Sequence, residues 1–232
     1  VIVHDLFLNE TANYAHVFLP GSTFLEKDGT FTNAERRINR VRKVMAPKNG
    51  YGDWEITQML ANAMGAGWTY THPSQIMDEI AATTPSFAKV SYEYLEEMGS
   101  VQWPCNDAAP EGTPLVHVNA FVRGKGKFIR TEYVATDEKT GPRYPLLLTT
   151  GRILSQYNVG AQTRRTENNI WHDQDILEIH PHDAELRGVK EGDFVRLSSR
   201  SGETTLRAEI TDRVSPGVVY TTFHHPTTQA NV

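Results

Sequence analysis

The sequence holds little cysteine, no strong excess of charge and no long apolar run. Cys105 is the one cysteine among 232 residues, so the chain cannot form an internal disulfide or a cysteine-only zinc or iron–sulfur site. No apolar run approaches the roughly 20 residues that span a bilayer. The formal net charge of −5 argues against a general nucleic-acid or membrane-surface binder. We therefore expect no nucleic-acid partner and no membrane segment.

The composition is that of a folded protein of moderate size. Hydrophobic residues make up 39% and charged residues 22% of the sequence, as in globular domains. The length suits one large domain or two small ones. The sequence opens on the strand-like run Val1 to Val3, and its first residues show no initiator methionine, no charged n-region and no apolar h-region. We expect a piece of a longer chain.

The first half has the pattern of an α/β fold. Val1 to Val3 predicts the end of a buried parallel strand, with Asp5 just past its carboxyl end. Val17 to Pro20 predicts a second strand, closed by proline. Apolar residues at helical spacing follow. The expected helices run from Asp53, as N-cap, to near Gly65, from a cap at Ser74 through Ile80, and from about Ser91 to Met98.

The second half has the pattern of a small closed β-barrel. Residues 104–114 are rich in proline and glycine, which predicts a linker. Apolar runs separated by turn residues follow it. The expected strands are 127–133, 144–150, 177–179, 194–198, 204–210 and 218–222, with a short helix at 182–187.

Histidine pairs and the lone cysteine are the first candidates for sites of chemistry. His180 and His182, or the pair His224 and His225, could contribute to a metal site, but no spacing places a third ligand. Hydrogen-bonded histidines at a turn are the simpler interpretation. Cys105 has no activating base at a recognisable spacing, so a small buried hydrophobe is favoured over a nucleophile.

Two regions could bind a ligand by their chemistry. Thr149 to Arg152 follows an apolar strand and offers glycine, hydroxyl and guanidinium groups that suit a phosphate; a solvated loop is the alternative. Asp5 and Asp53 lie at the ends of elements in the α/β half, where such folds bind ligands. For Asp53, spacing alone favours a plain helix cap.

Longer stretches resemble the molybdopterin oxidoreductase superfamily over essentially the whole chain. His4 to Ala12, Val17 to Pro20 and Glu26 to Arg37 resemble its third domain, and Leu148 to Arg165 resembles the start of its fourth, cofactor-capping domain. Within the superfamily, Gly151 to Arg165 and Glu178 to Ala184 are most similar to α subunits of cytoplasmic NAD-dependent formate dehydrogenases.

This resemblance implies a fold and a cofactor. Residues 1–110 would be a partial, Rossmann-like α/β domain, and residues 111–232 a molybdopterin dinucleotide-binding double-psi β-barrel that is truncated at its C-terminus. The cofactor would be bis-molybdopterin guanine dinucleotide with Mo or W. The iron–sulfur cysteines, the cysteine or selenocysteine that ligates the metal, and the formate-orienting arginine would lie upstream. No catalytic residue and no metal ligand is therefore assigned to this chain.

The resemblance also implies which residues bind the cofactor. A first group of four residues would contact a nucleotide end, where Asp5 and Asp53 would give specificity. A second group of ten residues would line the pterin and its phosphates. Lys27 of the first group and Arg152 of the second would neutralise charge. Phe223 and Asn231 would contact the cofactor late in the capping domain. The first group is His4, Asp5, Lys27 and Asp53. The second is Thr150, Gly151, Arg152, Ile153, Leu154, Ser155, Gln156, Tyr157, Asn158 and Val159.

The implied parent enzyme oxidises formate to carbon dioxide in the cytoplasm. Its partners would be the rest of the α subunit and the iron–sulfur and flavin subunits that pass electrons to NAD. This chain alone is expected to be inactive. One alternative is nitrate reductase or another molybdenum enzyme of the superfamily; Gln156 and Tyr157 disfavour nitrate reductase. The other alternative is a non-catalytic double-psi barrel that docks a protein.

Overall fold

The computed structural model describes residues 1–121 and 123–230. The chain divides into two compact units, Val1–Arg130 and Thr131–Val232. Over the described ranges, no helix has the length and apolar character needed to cross a membrane. The structure therefore has two parts to consider separately, each with its own core.

Among its described residues, the first unit contains three α-helices and two small sheets. Strand β1 pairs in parallel with β2, and β4 lies between β3 and β5 in an antiparallel sheet. The strands are β1 (Ile2–Asp5), β2 (Val17–Pro20), β3 (Gly29–Thr32), β4 (Arg37–Val41) and β5 (Ser100–Gln102). The helices are α1 (Asp53–Ala63), α2 (Pro73–Thr83) and α3 (Tyr92–Met98).

The core of the first unit lies under its antiparallel sheet. Ile38 of β4, Leu95 of α3 and Val101 of β5 are buried together with Val90 and Cys105. Cys105 is thus a small buried hydrophobe, as predicted. Burial raises the pKa of its thiol, which disfavours the reactive thiolate form.

Several local predictions in the first unit were wrong. β1 is exposed at Ile2 because, among the described strands, it has a partner on one side only, and Asp5 is its last residue. Asp53 is the first residue of α1, whose N-cap is Gly52. The ring of His72, and not Ser74, caps α2 by accepting a hydrogen bond from the Ser74 amide.

The second unit is built on a five-stranded mixed sheet. The strand order is β6-β10-β7-β9-β8, in which β6 and β10, and β7 and β9, pair in parallel and the other neighbours are antiparallel. The strands are β6 (Leu147–Gly151), β7 (Ile176–Ile179), β8 (Phe194–Ser198), β9 (Glu203–Ile210) and β10 (Val218–Thr222), with helix α4 (Pro181–Arg187) after β7.

Alternation along these strands places one set of side chains in a core. Leu177 and Ile179 of β7 pack with Leu206 and Ala208 of β9 and with Val219 of β10, as period-two patterning requires. The strand predicted at 127–133, a segment that the structure describes in full, is absent. That segment leaves Phe128 and Tyr133 exposed and pairs with none of the described sheets.

A buried carboxylate fixes the segment that leaves β10. Asp175 precedes β7, and its side chain is inaccessible to solvent. It accepts hydrogen bonds from the hydroxyls of Thr222 and Thr228 and from the amides of His224 (3.2 Å) and His225 (2.9 Å). Burial alone would raise the pKa of Asp175, but these donors outweigh it and hold the pKa below its usual value.

We predict that Asp175→Asn removes an acid-sensitive part of the stability. Because the folded-state pKa is lowered, the carboxylate contributes fully above the unfolded pKa of about 3.9, and its contribution is lost as the pH falls further. At pH 7 the variant should lose roughly 2–4 kcal/mol of unfolding free energy, and the difference from wild type should shrink below about pH 4. Urea unfolding at several pH values measures this.

The exposed Asp212 provides the matched control. Asp212→Asn should change the unfolding free energy by less than about 0.5 kcal/mol at any of these pH values. A gap between Asp175→Asn and wild type that stays constant from pH 7 to pH 3 would contradict the assignment of the acid-sensitive contribution to Asp175.

Candidate functional site

The four residues predicted for a nucleotide end lie close together in the first unit. Asp53, at the start of α1, contacts Lys27 directly and lies 3.3 Å from the His4 ring through its Oδ1 atom. Oδ1 also accepts hydrogen bonds from the Ser22 amide (2.8 Å) and hydroxyl (3.2 Å). Asp53 therefore joins the ends of β1, β2 and α1, a role that reaches beyond helix capping.

The charges in this cluster compensate one another. Burial would raise the pKa of Asp53, but the hydrogen bond from Lys27, the Ser22 amide and the charges of Lys27 and His4 lower it below its usual value. The side chains of Lys27, His4 and Asp53 remain 22%, 27% and 34% exposed. The Asp53 carboxylate is therefore ionised and lies beside the Lys27 cation before any ligand binds, and a ligand could reach both side chains.

Asp5 lies beside this cluster and shapes the turn after β1. Its carboxylate accepts from the Leu6 amide (2.6 Å) and from the Asn9 side chain (2.8 Å). Gly21 separates it from Asp53: a Cβ at Gly21 would lie 3.2 Å from Asp53 Oδ1 and 3.3 Å from the Asp5 carbonyl carbon. The glycine thus permits the close approach of the two strand ends, where parallel sheets commonly bind ligands.

In the second unit, the predicted residues begin with Thr150 and Gly151 at the end of β6 and continue as residues 152–159, the Arg152 turn. Arg152, Leu154 and Tyr157 are exposed along it, as are Thr150 and Val159. The Arg152 guanidinium lies 5.0 Å from the centre of the Phe223 ring, so these two predicted residues are brought together. Within the described part of the chain, no oxygen accepts a hydrogen bond from this guanidinium.

Other members of the turn point inward. Gln156 is buried; its amide nitrogen donates to the His172 carbonyl (3.0 Å), and its oxygen accepts from the Thr163 hydroxyl (2.6 Å). Gly151, Ile153 and Ser155 are partly buried. Asn158 adopts a left-handed backbone with φ of 48°, which asparagine tolerates better than most residues. Gln156 therefore supports the turn, and its side-chain amide is already engaged.

The buried His224 connects this turn to the end of β10. Its Nε2 accepts a hydrogen bond from the Ile153 amide (3.1 Å), and its Nδ1 donates to the Asn158 carbonyl. Gly160 passes close to the same residue, because a Cβ at that position would lie 2.7 Å from the His224 carbonyl oxygen. His224, Gly160 and Asp175 are structural determinants of the turn that the sequence reasoning did not identify.

The exposed side chains of this turn suit a cofactor that carries both phosphates and a partly apolar ring system. Arg152 offers a cation that no described oxygen engages, which suits phosphate, and Leu154 and Tyr157 offer exposed apolar surface for a ring. The chemistry of these side chains suits the phosphates and the ring system of a pterin dinucleotide. The residues present therefore fit the cofactor implied by the resemblance.

Three other features complete the site description. Asn231, the last predicted contact, lies outside the described residues. A cleft of about 690 Å³ in the second unit is lined by Leu146, Leu148, Val195 and Leu197 among others, and its described lining includes none of the predicted cofactor residues. His180 caps α4 by accepting from the His182 amide (3.2 Å), the turn role expected for this pair.

Two family models match the chain. The molybdopterin oxidoreductase model matches residues 1–63, which include the Asp53 cluster. The molydopterin dinucleotide binding domain model matches residues 146–232, which include the Arg152 turn and His224. Each described site thus lies within a matched region.

Curated relatives match the chain over nearly its whole length. A formate dehydrogenase 2 α subunit from Methanococcus maripaludis, named as F420-dependent, is 45% identical over 96% of this chain and 34% of its own length. An α subunit of the same description from Methanocaldococcus jannaschii is 39% identical over 100% and 35%. A putative formate dehydrogenase from Staphylococcus haemolyticus is 43% identical over 95% and 23%. The chain spans about a third or less of these relatives.

A solved structure shares the fold. Acetylene hydratase from Pelobacter acetylenicus superposes with a TM-score of 0.70 over 97% of this chain and 33% of its own, at 16% sequence identity. The identity is too low for a statement beyond mixed α/β architecture. The two family models and the relatives lead to one conclusion: residues 1–63 and 146–232 match models of molybdopterin-dependent oxidoreductases, and the chain is similar to formate dehydrogenase α subunits along almost its entire length.

Proposed function

We propose that this chain is the cofactor-binding part of a formate dehydrogenase α subunit and binds bis-molybdopterin guanine dinucleotide with Mo or W. The observation that carries the proposal is the segment Thr150–Val159, which exposes Leu154 and Tyr157 and in which the Arg152 guanidinium has no acceptor among the described residues and lies 5.0 Å from the Phe223 ring. This turn lies in the region matched by the dinucleotide-binding model. The compensated Asp53 and Lys27 pair supports binding of a nucleotide end in the first unit.

The proposal extends to the domains of the family. Residues 1–110 would form part of the Rossmann-like third domain, and residues 111–232 the capping double-psi β-barrel. The mixed sheet of the second unit, with its two parallel and two antiparallel pairings, supports a strand arrangement more complex than a meander. Iron–sulfur clusters would lie in the rest of the α subunit, and the enzyme would act in the cytoplasm.

In this proposal the residues described above bind and orient, and they do not make or break bonds. When bound, the cofactor would supply the two-electron redox chemistry that converts formate to carbon dioxide. Lys27 and Arg152 would neutralise phosphate charge. Asp53 and Asp5 would accept hydrogen bonds from the N–H groups of a guanine edge. Leu154 and Tyr157 would exclude water from one side of the ring system.

The electron acceptor of the enzyme would be chosen by partner subunits. The resemblance points to flavin and iron–sulfur subunits that reduce NAD, whereas the archaeal relatives are named as F420-dependent. Both acceptors therefore belong in the assay. None of the proposed cofactor-contact residues distinguishes between the two.

The whole enzyme that carries this chain tests the proposed function. We expect purified protein to contain Mo or W, about two guanine nucleotides per metal, and formate-dependent reduction of a viologen dye, with NAD and F420 compared as natural acceptors. Absence of metal and pterin would overturn the proposal. Pterin with nitrate-dependent oxidation of the dye, and no activity with formate, would replace it with the nitrate reductase alternative.

We predict that Arg152→Gln weakens retention of the cofactor. A charge-assisted hydrogen bond is worth about 1.5–3 kcal/mol, which corresponds to roughly 10- to 140-fold in dissociation constant. Guanine nucleotide retained per chain after extended dialysis should fall accordingly. Arg152→Lys, which keeps the charge and loses the planar fork, should retain an intermediate amount.

Arg196 of β8 supplies the control for this comparison. Its side chain is 73% exposed and lies 3.9 Å from Glu203, so Arg196→Gln removes a cation of the same unit without touching the turn. Retention should then equal that of wild type. Equal loss in Arg152→Gln and Arg196→Gln would show that retention follows overall charge and not the Arg152 site.

A further inference from the structure

The His224 ring lies where it can determine the shape of the Arg152 turn, residues 152–159. The residue is fully buried, and both ring nitrogens are engaged by backbone atoms of the turn. Ile153 and Asn158, its two partners, lie five residues apart along the turn. One ring therefore spans the segment between Arg152 and Val159.

The two hydrogen bonds permit a single form of the imidazole. The Ile153 amide is a donor, so Nε2 must carry a lone pair, whereas the Asn158 carbonyl is an acceptor, so Nδ1 must carry the proton. Only the neutral ring with its proton on Nδ1 satisfies both partners. The ring thus has one donor end and one acceptor end, each matched to one point of the turn.

The position of this ring is fixed independently of the turn. Asp175 accepts a hydrogen bond from the His224 amide (3.2 Å) and others from Thr222, His225 and Thr228 around it. These contacts hold the His224 backbone against the start of β7. Contacts outside the turn therefore hold the His224 backbone in place, so its ring can hold Ile153 and Asn158 at fixed positions.

We propose that His224 is a positioning residue that clamps residues 153–158, so that Arg152, Leu154 and Tyr157 are presented outward to the cofactor. Use of the clamp in cofactor binding rests on the proposed function, whereas the clamp itself does not. Gln156 strengthens the case, because its buried side chain holds the middle of the same segment from the inside. Loss of the clamp should leave the sheet intact and loosen the turn.

Two conservative substitutions separate the two ends of the ring. The Gln side chain in His224→Gln can place its oxygen near the Nε2 position and accept from the Ile153 amide. The Asn side chain in His224→Asn can place its NH₂ group near the Nδ1 position and donate to the Asn158 carbonyl, but it leaves the Ile153 amide without an acceptor. Both variants are polar and similar in size, so a general loss of stability would affect them alike. His224→Leu removes both bonds.

Hydrogen–deuterium exchange of the whole enzyme, resolved to single amides by mass spectrometry, measures the clamp without reference to activity. We expect the Ile153 amide to exchange about five- to tenfold faster in His224→Asn and His224→Leu, as for loss of one hydrogen bond. In His224→Gln it should stay within about twofold of wild type. Amides of β7 and β9 should not change in any variant. The exposed His182 gives the control His182→Gln, with no change.

Cofactor retention is the second readout, and it should decrease in the order wild type, Gln, Asn, Leu. The clamp is overturned if Ile153 exchange is unchanged in His224→Asn, or if Gln and Asn raise exchange equally throughout the second unit, as a merely structural histidine would. If exchange responds as expected but retention does not, His224 shapes the turn without serving the cofactor, and the proposal fails in that part. If wild type holds no pterin, the proposed function fails while the exchange result still decides the clamp.

Discussion

The buried carboxylate of Asp175 is the constraint on which the second unit depends. An ionised group without solvent contact is stable only when donors surround it, and here the donors come from the segment that leaves β10. The carboxylate therefore determines the path of residues 222–228. Because His224 lies within that path, the same constraint determines where its ring meets the turn after β6.

Much of the fold follows from local pattern. Strands β8 and β10 have their predicted bounds because short runs rich in apolar and β-branched residues lie between clear turn signals. Strands β3 and β4 were not predicted, since their polar and charged residues give no apolar alternation. Their stability comes from pairing and from partners such as Arg40, which is bonded to Asp28 and Glu96. The run at 127–133 shows the converse: β-propensity without a neighbouring strand produced no strand.

Some residues of the site could be predicted from the sequence, and others could not because their partners lie far away along the chain. Asp5 and Asp53 were candidates by their positions at the ends of elements and by the resemblance to a family, and Lys27 by the resemblance alone. The structure brings the three to adjoining positions; their binding role stays a prediction. Asp175 and His224 were missed because their partners are distant in sequence: the Ile153 and His224 contact joins residues 71 positions apart. No spacing rule links such residues. A histidine pair after a strand indicated only a possible metal ligand or a turn, and the actual role depends on tertiary hydrogen bonds.

The two sites differ in charge, and this difference bears on what each would bind. Around Asp53, the cation of Lys27 is paired with a carboxylate, so Lys27 would share its charge between Asp53 and a phosphate, and the carboxylate could also accept hydrogen bonds from the N–H groups of a base. Arg152 lies on a turn supported by a neutral imidazole and a neutral amide, so neither of these supporting groups offsets its charge. A protonated ring at His224 could not accept a hydrogen bond from the Ile153 amide. The two side chains that support the turn are therefore uncharged, and the guanidinium, which has no acceptor among the described residues, remains available to an anionic ligand.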